Sequence, residues 1–293
     1  MDSQKNHALG IFRGDDDQFA FRNTPRFDLQ EAYGAYKIPI GTGLTLKAGK
    51  FVTLLGYEVI EAPNNLNFSR GFLFSFSTPL THVGALATYA PFGWLSLTAG
   101  PVVGWDVARD NNGAMSFTGQ IAVTAVKDLA LTLNWITGPE QNHENGNPRT
   151  VLDFIAAYTG LKNLTLAANV DTGWEVDEPS LVATRGGKTT GTWQAYAGYV
   201  AYDWTSAFRT AVRGEIFRDA DGIRTQAAGP GAKVTLYEVT ATLQYKIWKG
   251  LMGRLEYRHD RASRKVFAAT GDGTVPTSRA QDTITLALDY LFF

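Results

Sequence analysis

Arg209, Arg213, Arg254 and Arg258 are the side chains of this 293-residue sequence that are best spaced to act together. Read at a period of two, they share a parity with Glu215 and Glu256 on two segments, and Glu238 holds the same parity on a segment between them. Guanidiniums and carboxylates grouped in this way need make or break no bonds. If the basic wall of these arginines faces Glu58 and Glu61 on a segment folded inward, the constriction between them carries a transverse field that orders the water and favours small polar solutes over apolar ones. The plainer reading is that they pair across neighbouring strands and stiffen a wall; both can hold for the set.

Groups for bond-making chemistry are sparse. His7, His82, His143 and His259 are scattered, and there is no cysteine, no Gly-x-Ser-x-Gly elbow and no phosphate loop. His259 precedes Asp260, but adjacent strand residues point to opposite faces and would not form a dyad. Asp15, Asp16 and Asp17 could hold a divalent cation or form an ordinary solvated charge run. The reading is therefore not an enzyme, with no catalytic residues, no metal and no cofactor.

The elements that must position the charged set are strands. Ile284, Leu286, Leu288, Tyr290 and Phe292 alternate with Thr283, Thr285, Ala287 and Asp289, and Tyr237, Val239, Ala241, Leu243, Tyr245 and Ile247 alternate with Glu238, Thr240, Thr242, Gln244 and Lys246. Between them, Leu251, Gly253, Leu255 and Tyr257 alternate with Arg254, Glu256 and Arg258. The core of a soluble sandwich could not hide three charges on one strand face, whereas a water-filled lumen could. Similar alternation covers 208–216, 164–171, 150–159, 129–138, 115–126 and 94–107, where Pro101 predicts a bulge. No run of eighteen apolar residues occurs, which excludes a spanning helix, and alternation cancels the mean hydropathy of a barrel in the same way. Charged residues make up 19%, aromatics 12%, and the net charge of −1 gives no basis for a nucleic-acid partner.

Connections alternate in length: short near 91–93, 126–128, 160–163, 203–205 and 248–250, long near 108–114, 139–149, 175–191, 219–232 and 261–279. Short turns belong in the periplasm and long loops outside. Counting back, the turn at 40–43 is periplasmic, so the strand at 44–51 runs outward and 53–79 is one external excursion before the strand near 80–90. Its centre, 58–67, has no alternation and contains Pro63, Asn64 and Asn65. Irregular backbone at membrane depth needs protein or water around it, so this loop is expected to fold into the lumen. The rival reading makes Phe72, Phe74 and Phe76 a lipid-facing strand. The expected pore-lining or constricting residues are Lys47, Glu58, Glu61, Asn64, Asn65, Arg70, Arg209, Arg213, Glu215, Glu238, Arg254, Glu256 and Arg258. Neutralising Arg209, Arg213, Arg254 and Arg258 should then shift ion preference toward cations.

The fold class expected is all-β: an antiparallel up-and-down transmembrane β-barrel forming a single domain over 1–293. Thirteen strands are legible from about residue 27, and a weak one within 8–22 gives about fourteen, in a range of twelve to sixteen. Residues 1–6 are polar and unlike a signal peptide. Trp94, Trp105, Trp135, Trp174, Trp193 and Trp204 lie near strand ends and are expected to form interfacial girdles, or alternatively sugar-binding platforms.

Lys47-Ala48-Gly49-Lys50-Phe51, continuing through Gly56-Tyr57-Glu58 to Pro63-Asn64-Asn65 and Phe68-Ser69-Arg70, resembles the β-barrel porin-2 family of bacterial outer-membrane proteins. Asp28-Leu29-Gln30-Glu31-Ala32-Tyr33, Gly104-Trp105-Asp106 and Asp110-Asn111-Asn112 are similar to the same family, most densely over 28–140. The resemblance implies an outer-membrane barrel with a porin role: passive diffusion of small hydrophilic solutes or ions, with outer-membrane lipid around it and a homo-oligomer as an open possibility. Family members carry a signal peptide and further strands ahead of the Asp28 region, so the chain reads as N-terminally shortened (residues 1–26). A terminal Phe in lipid-facing register is common in such barrels, and here that register falls on Phe292 with Phe293 one step beyond. Two other classes stay open at this stage: a soluble all-β carbohydrate-binding module and an outer-membrane barrel hydrolase.

Overall fold

The computed structural model describes residues 29–187, 189–226, 231–267 and 276–291. Thirteen strands follow one another: β1 (Ala32–Ile38), β2 (Leu44–Val52), β3 (Thr81–Phe92), β4 (Leu95–Val102), β5 (Ser116–Val126), β6 (Leu129–Gln141), β7 (Glu144–Leu161), β8 (Leu164–Glu175), β9 (Gly191–Asp203), β10 (Phe208–Asp219), β11 (Val234–Trp248), β12 (Leu251–Ala262) and β13 (Ala280–Tyr290). Each pairs antiparallel with its neighbours in sequence, giving one up-and-down sheet in the order β1 to β13. The weak strand expected within 8–22, the acidic run at 15–17 and the terminal Phe292 and Phe293 lie outside the described residues.

Burial is inverted relative to a soluble protein. Val239, Leu243, Tyr245, Leu255, Tyr257, Ile284, Leu286 and Leu288 are exposed, whereas Arg213, Glu238, Thr240, Thr242, Arg254 and Glu256 are at most 2% exposed. Water on the outer surface would make those apolar rows costly, while hydrocarbon outside and a polar interior satisfy both parities. This excludes the soluble sandwich, in which the greasy rows would face one another.

At one end the connections are short. Lys127–Asp128, Lys162–Asn163 and Lys249–Gly250 are two-residue turns whose second residue is left-handed, with φ of 66°, 62° and 81°, a region that Asp, Asn and Gly tolerate. At the other end lie the longer connections after β2, β4, β8, β10 and β12, and the third of the short helical elements there, α1 (Pro179–Arg185), is capped by the Glu178 carboxylate accepting from the Leu181 N–H.

Two local expectations are corrected and one rival reading is set aside. The long loop expected at 139–149 is instead a ribbon: β6 and β7 stay paired to Gln141 and Glu144 and turn at Asn142–His143, where His143 has φ of 60°. Pro139 and Pro148 are partners there, beyond the reach of the adjacent strands, so their missing N–H groups cost no ladder bonds. The strand predicted over 94–107 ends at Val102, and the β3–β4 register is unchanged across Pro101, the irregularity lying at Tyr89/Phe92. Finally, Phe72, Phe74 and Phe76 do not form a strand. Leu73–Ser77 is a π-helical turn, with Leu73, Phe74, Ser75 and Ser77 buried.

Candidate functional site

The loop at 53–79 leaves β2 and returns to β3, closed at its base by the Thr53 N–H donating to the Leu80 carbonyl (2.9 Å). Between those points its polar groups meet the inward faces of β7 to β12, while Leu55, Phe72 and Leu73 share a buried apolar cluster with Leu86, Val102 and Ile136 of β3, β4 and β6. With little regular structure of its own, its backbone groups need partners from elsewhere, and the wall supplies them.

Wall carboxylates accept the loop's N–H groups. Glu256 of β12 takes Phe68 (2.6 Å) and Ser69 (2.9 Å), Glu215 of β10 takes Phe72, and Asp153 of β7 takes Gly56. The Asn169 amide of β8 accepts from the Tyr57 N–H at 2.8 Å and donates to Asp153 at 2.6 Å. Wall guanidiniums donate to the loop's carbonyls. Arg254 reaches those of Ala62 (2.9 Å), Pro63, Asn65 and Asn67, and Arg258 reaches that of Arg70 (2.6 Å) while lying over the Phe72 ring.

The centre of the joint is Arg213 on β10, fully buried. It donates to Glu58 of the loop, to Glu238 of β11 at 2.8 Å and to the Ser69 carbonyl at 2.6 Å. Glu58 also accepts from the Gly71 N–H at 2.7 Å. Glu215 and Glu238 face each other directly in the β10–β11 register, so Arg213 beside them offsets a repulsion that a bare pair would suffer. A Cβ at Gly71 would stand 2.0 Å from the Glu215 Oε1, so a larger residue there would displace the carboxylate that accepts from the Phe72 N–H.

Within the loop, Arg70 donates to the carbonyls of Val59 (2.9 Å), Ile60 and Phe68, and Asn65 bonds Val59 through both its N–H and its carbonyl. Burial pulls the Arg70 guanidinium below its ordinary value, opposed by the nearby Glu58. Both residues therefore shape the loop rather than line open water.

Of the residues expected from sequence, the structure brings together Glu58, Asn65, Arg70, Arg213, Glu215, Glu238, Arg254, Glu256 and Arg258. Four stand apart. Arg209 pairs with Asp203 through two bonds of 2.7 and 2.8 Å near the short-turn end, Glu61 accepts from Gln30, Asn64 is exposed, and Lys47 sits on β2 with its amine 4.3 Å over the Tyr33 ring. The expected field between a basic wall and an acidic loop is not laid across open water. Arg213 and Arg254 are buried, Arg254 lies 3.4 Å from Asp289 and Arg258 2.8 Å from Asp260, so their charges are offset where they stand.

Sequence reasoning did not select Asp153, Asn169, Thr242 or Trp193 as part of this joint. Their inward parity was visible, but what they would touch depends on where the loop lands. Trp193 donates through its indole N–H to the Ser77 carbonyl (3.3 Å), and its ring covers Gly173 of β8. Trp105 and Trp193 are thereby removed from the expected girdle. They lie inside, 7% and 1% exposed, with the Arg224 guanidinium 4.8 and 5.0 Å from their rings. Burial, and then the charge of Arg149, pulls Arg224 down to about 10, which leaves it cationic at neutral pH. Trp94 and Trp204 do stand exposed at the short-turn end. His259 and Asp260 point apart, as the pleat requires: His259 meets Asp282 outside (2.8 Å) and Asp260 meets Arg258 inside.

The family model described as "Putative beta-barrel porin-2, OmpL-like" matches residues 1–292. The chain belongs to that porin family. It is accordingly a β-barrel porin of the outer membrane. No curated protein matches the sequence. Among solved structures, this porin is similar to the outer membrane channel DcaP of Acinetobacter baumannii (12% identity, 85% of this chain and 73% of that one, TM-score 0.59). It is also similar to OmpT of Vibrio cholerae (11%, 88% and 79%, TM-score 0.56) and to a solved porin (14%, 85% and 81%, TM-score 0.51). At such identities the likeness shows the fold alone.

Proposed function

We propose that small hydrophilic solutes and ions diffuse through this porin between the free side of the docked loop and the inner wall of β1 to β6, without a chemical step. The observation that carries this reading is the lopsidedness of the polar docking: the hydrogen bonds and ion pairs that hold the loop to the wall are made by β7 to β12. On the other side Leu86, Val102 and Ile136 are buried in one apolar cluster with Leu55 and Leu73 of the loop toward the long-loop end, while the inward residues Thr45, Lys47, Thr88, Ser96, Gln120 and Thr132 keep partial exposure. This exposed stretch is lined by hydroxyls, one amide and the Lys47 ammonium, and hydroxyls and amides replace water's hydrogen bonds without holding a passing solute tightly.

Lys47 is the selective element of this passage. Among the described residues it has no ion pair or hydrogen bond, only the faces of the Tyr33 and Phe51 rings at 4.3 and 5.9 Å. An uncompensated ammonium within a narrow lumen raises the local concentration of anions. The reversal potential of the protein in a planar bilayer under a KCl gradient is expected to show a mild anion preference, and Lys47→Glu to carry it past neutrality toward cations. A reversal potential identical in the two proteins would remove Lys47 from the passage, and absence of conductance would remove the passage itself.

A further inference from the structure

Among the described residues, outward charge at the long-loop end gathers on β10 to β13; apart from these strands, Lys50 takes the outward parity on β2. At the long-loop end of β3 to β9 the outward positions are neutral, among them Val83, Pro101, Phe117, Thr137, Thr150 and Thr192. The next strands differ. Arg218 on β10 and Arg261 on β12 take the outward parity at that same level and are exposed, and Arg264, Lys265 and Arg279 stand exposed where β12 ends and β13 begins. None of these five has an ion pair or a hydrogen bond through its side chain among the described residues. The carboxylate nearest in register, Asp282, is already engaged by the Tyr257 hydroxyl (2.6 Å) and His259 (2.8 Å).

The rim is held in shape by backbone. Arg218 is the partner of Thr235, whose N–H donates to the Ser263 hydroxyl (2.9 Å) and whose carbonyl accepts from the Ser263 N–H (2.8 Å), and the Ala262 N–H donates to the Arg279 carbonyl (2.7 Å). Neighbouring strands lie about 4.8 Å apart, so β10 to β13 carry this patch across about 15 Å. On the same outward parity Tyr237 stands beside Arg261 in the β11–β12 register, and Tyr257, four residues from Arg261 toward the membrane centre, is also exposed. Amphipathic rings of that kind sit at the headgroup level of a bilayer, which puts the guanidiniums at or just above the polar boundary of the outer leaflet.

We infer that the outward rim of β10 to β13 is a docking surface for the phosphate-bearing headgroup of an outer-leaflet lipid. Phosphate is the anion that fits: guanidiniums bind it through paired N–H donors, several of them can share one group, and a lipid headgroup is the anion held at this depth. The inference rests on outer-membrane embedding and is independent of the solute path through the lumen.

The test uses the full chain in phosphatidylcholine nanodiscs, titrated with bisphosphorylated lipid A and with the same lipid stripped of phosphate, retention being read by native mass spectrometry. The phosphorylated lipid should be retained selectively. Arg218→Gln/Arg261→Gln should weaken retention about 25-fold, since each surface charge contributes about fivefold. Unchanged single-channel conductance of the double variant would show that the barrel is intact. Equal retention of the stripped lipid, or full retention by the double variant, would overturn the assignment. So would a change in the number of chains per particle without a change in bound lipid, which would make the patch an interface between copies.

Discussion

Arg213→Met should raise the single-channel conductance of this porin and render residues 53–79 susceptible to protease, while the strands remain paired. Arg213 is the residue through which loop and wall share charge: it bonds Glu58 of the loop and Glu238 of the wall, and both carboxylates are buried. Removing the cation leaves Glu58 and Glu238 near Glu215 with no guanidinium between them, and breaking a buried pair from one side costs about 3–5 kcal/mol. The ladder of β10 with β9 and β11 continues for ten or more residue pairs around position 213, so this cost is relieved most cheaply by the loop lifting away and water entering. Glu58→Gln should act in the same direction but more weakly, because an amide can still accept from Gly71 and Arg213 keeps Glu238. Conductance and protease sensitivity of Arg213→Met equal to those of the unaltered protein would mean that the loop is held by its other contacts alone.

The strands were legible because two solvents act on them. A side chain facing hydrocarbon and one facing a polar interior obey opposite rules, so the sequence of β11 to β13 shows its period over many residues without interruption, and turn residues such as Asn163 and Gly250 mark where it stops. Alternating connection lengths then located the long excursion at 53–79 and its return to the lumen. The departures share one cause. The β6–β7 ribbon was read as a loop because Pro139, Asn147 and Pro148 carry loop composition, yet on the outer edges of a ribbon projecting beyond its neighbours there is no third strand whose bonds a proline would interrupt. Trp105 and Trp193 were placed at the membrane boundary because Trp so often lies there, but their environment is fixed by the loop ends and Arg224, which come from distant parts of the chain. The charged residues were recognised by parity, whereas their role was not: whether an inward Arg faces water or a backbone carbonyl depends on a tertiary contact such as Arg254 with residues 62–67, and no local pattern encodes it.

Replacing residues 56–78 by a short Gly-Ser bridge is expected to have the larger effect on transport and to reverse its charge preference. No residue of that segment belongs to a strand pair, and the Thr53 to Leu80 bond at its base is retained, so the sheet loses no ladder bond. The wall that the loop covers would become lumen surface, widening the passage and raising conductance severalfold. That wall is acidic in balance: Asp153, Asp171, Glu215, Glu238 and Glu256 face inward against Arg213, Arg254 and Arg258, and two of those guanidiniums already have Asp289 and Asp260 beside them. Carboxylates that now bond the loop's N–H groups would instead face water fully ionised and attract cations. The shortened protein should therefore conduct more and prefer cations, whereas the intact one is expected to prefer anions through Lys47. Measured together, conductance and reversal potential separate this account from a simpler one in which the loop only obstructs. Obstruction alone predicts greater conductance with the anion preference unchanged, and that pair of results would show that the docked loop has no part in setting which charge crosses.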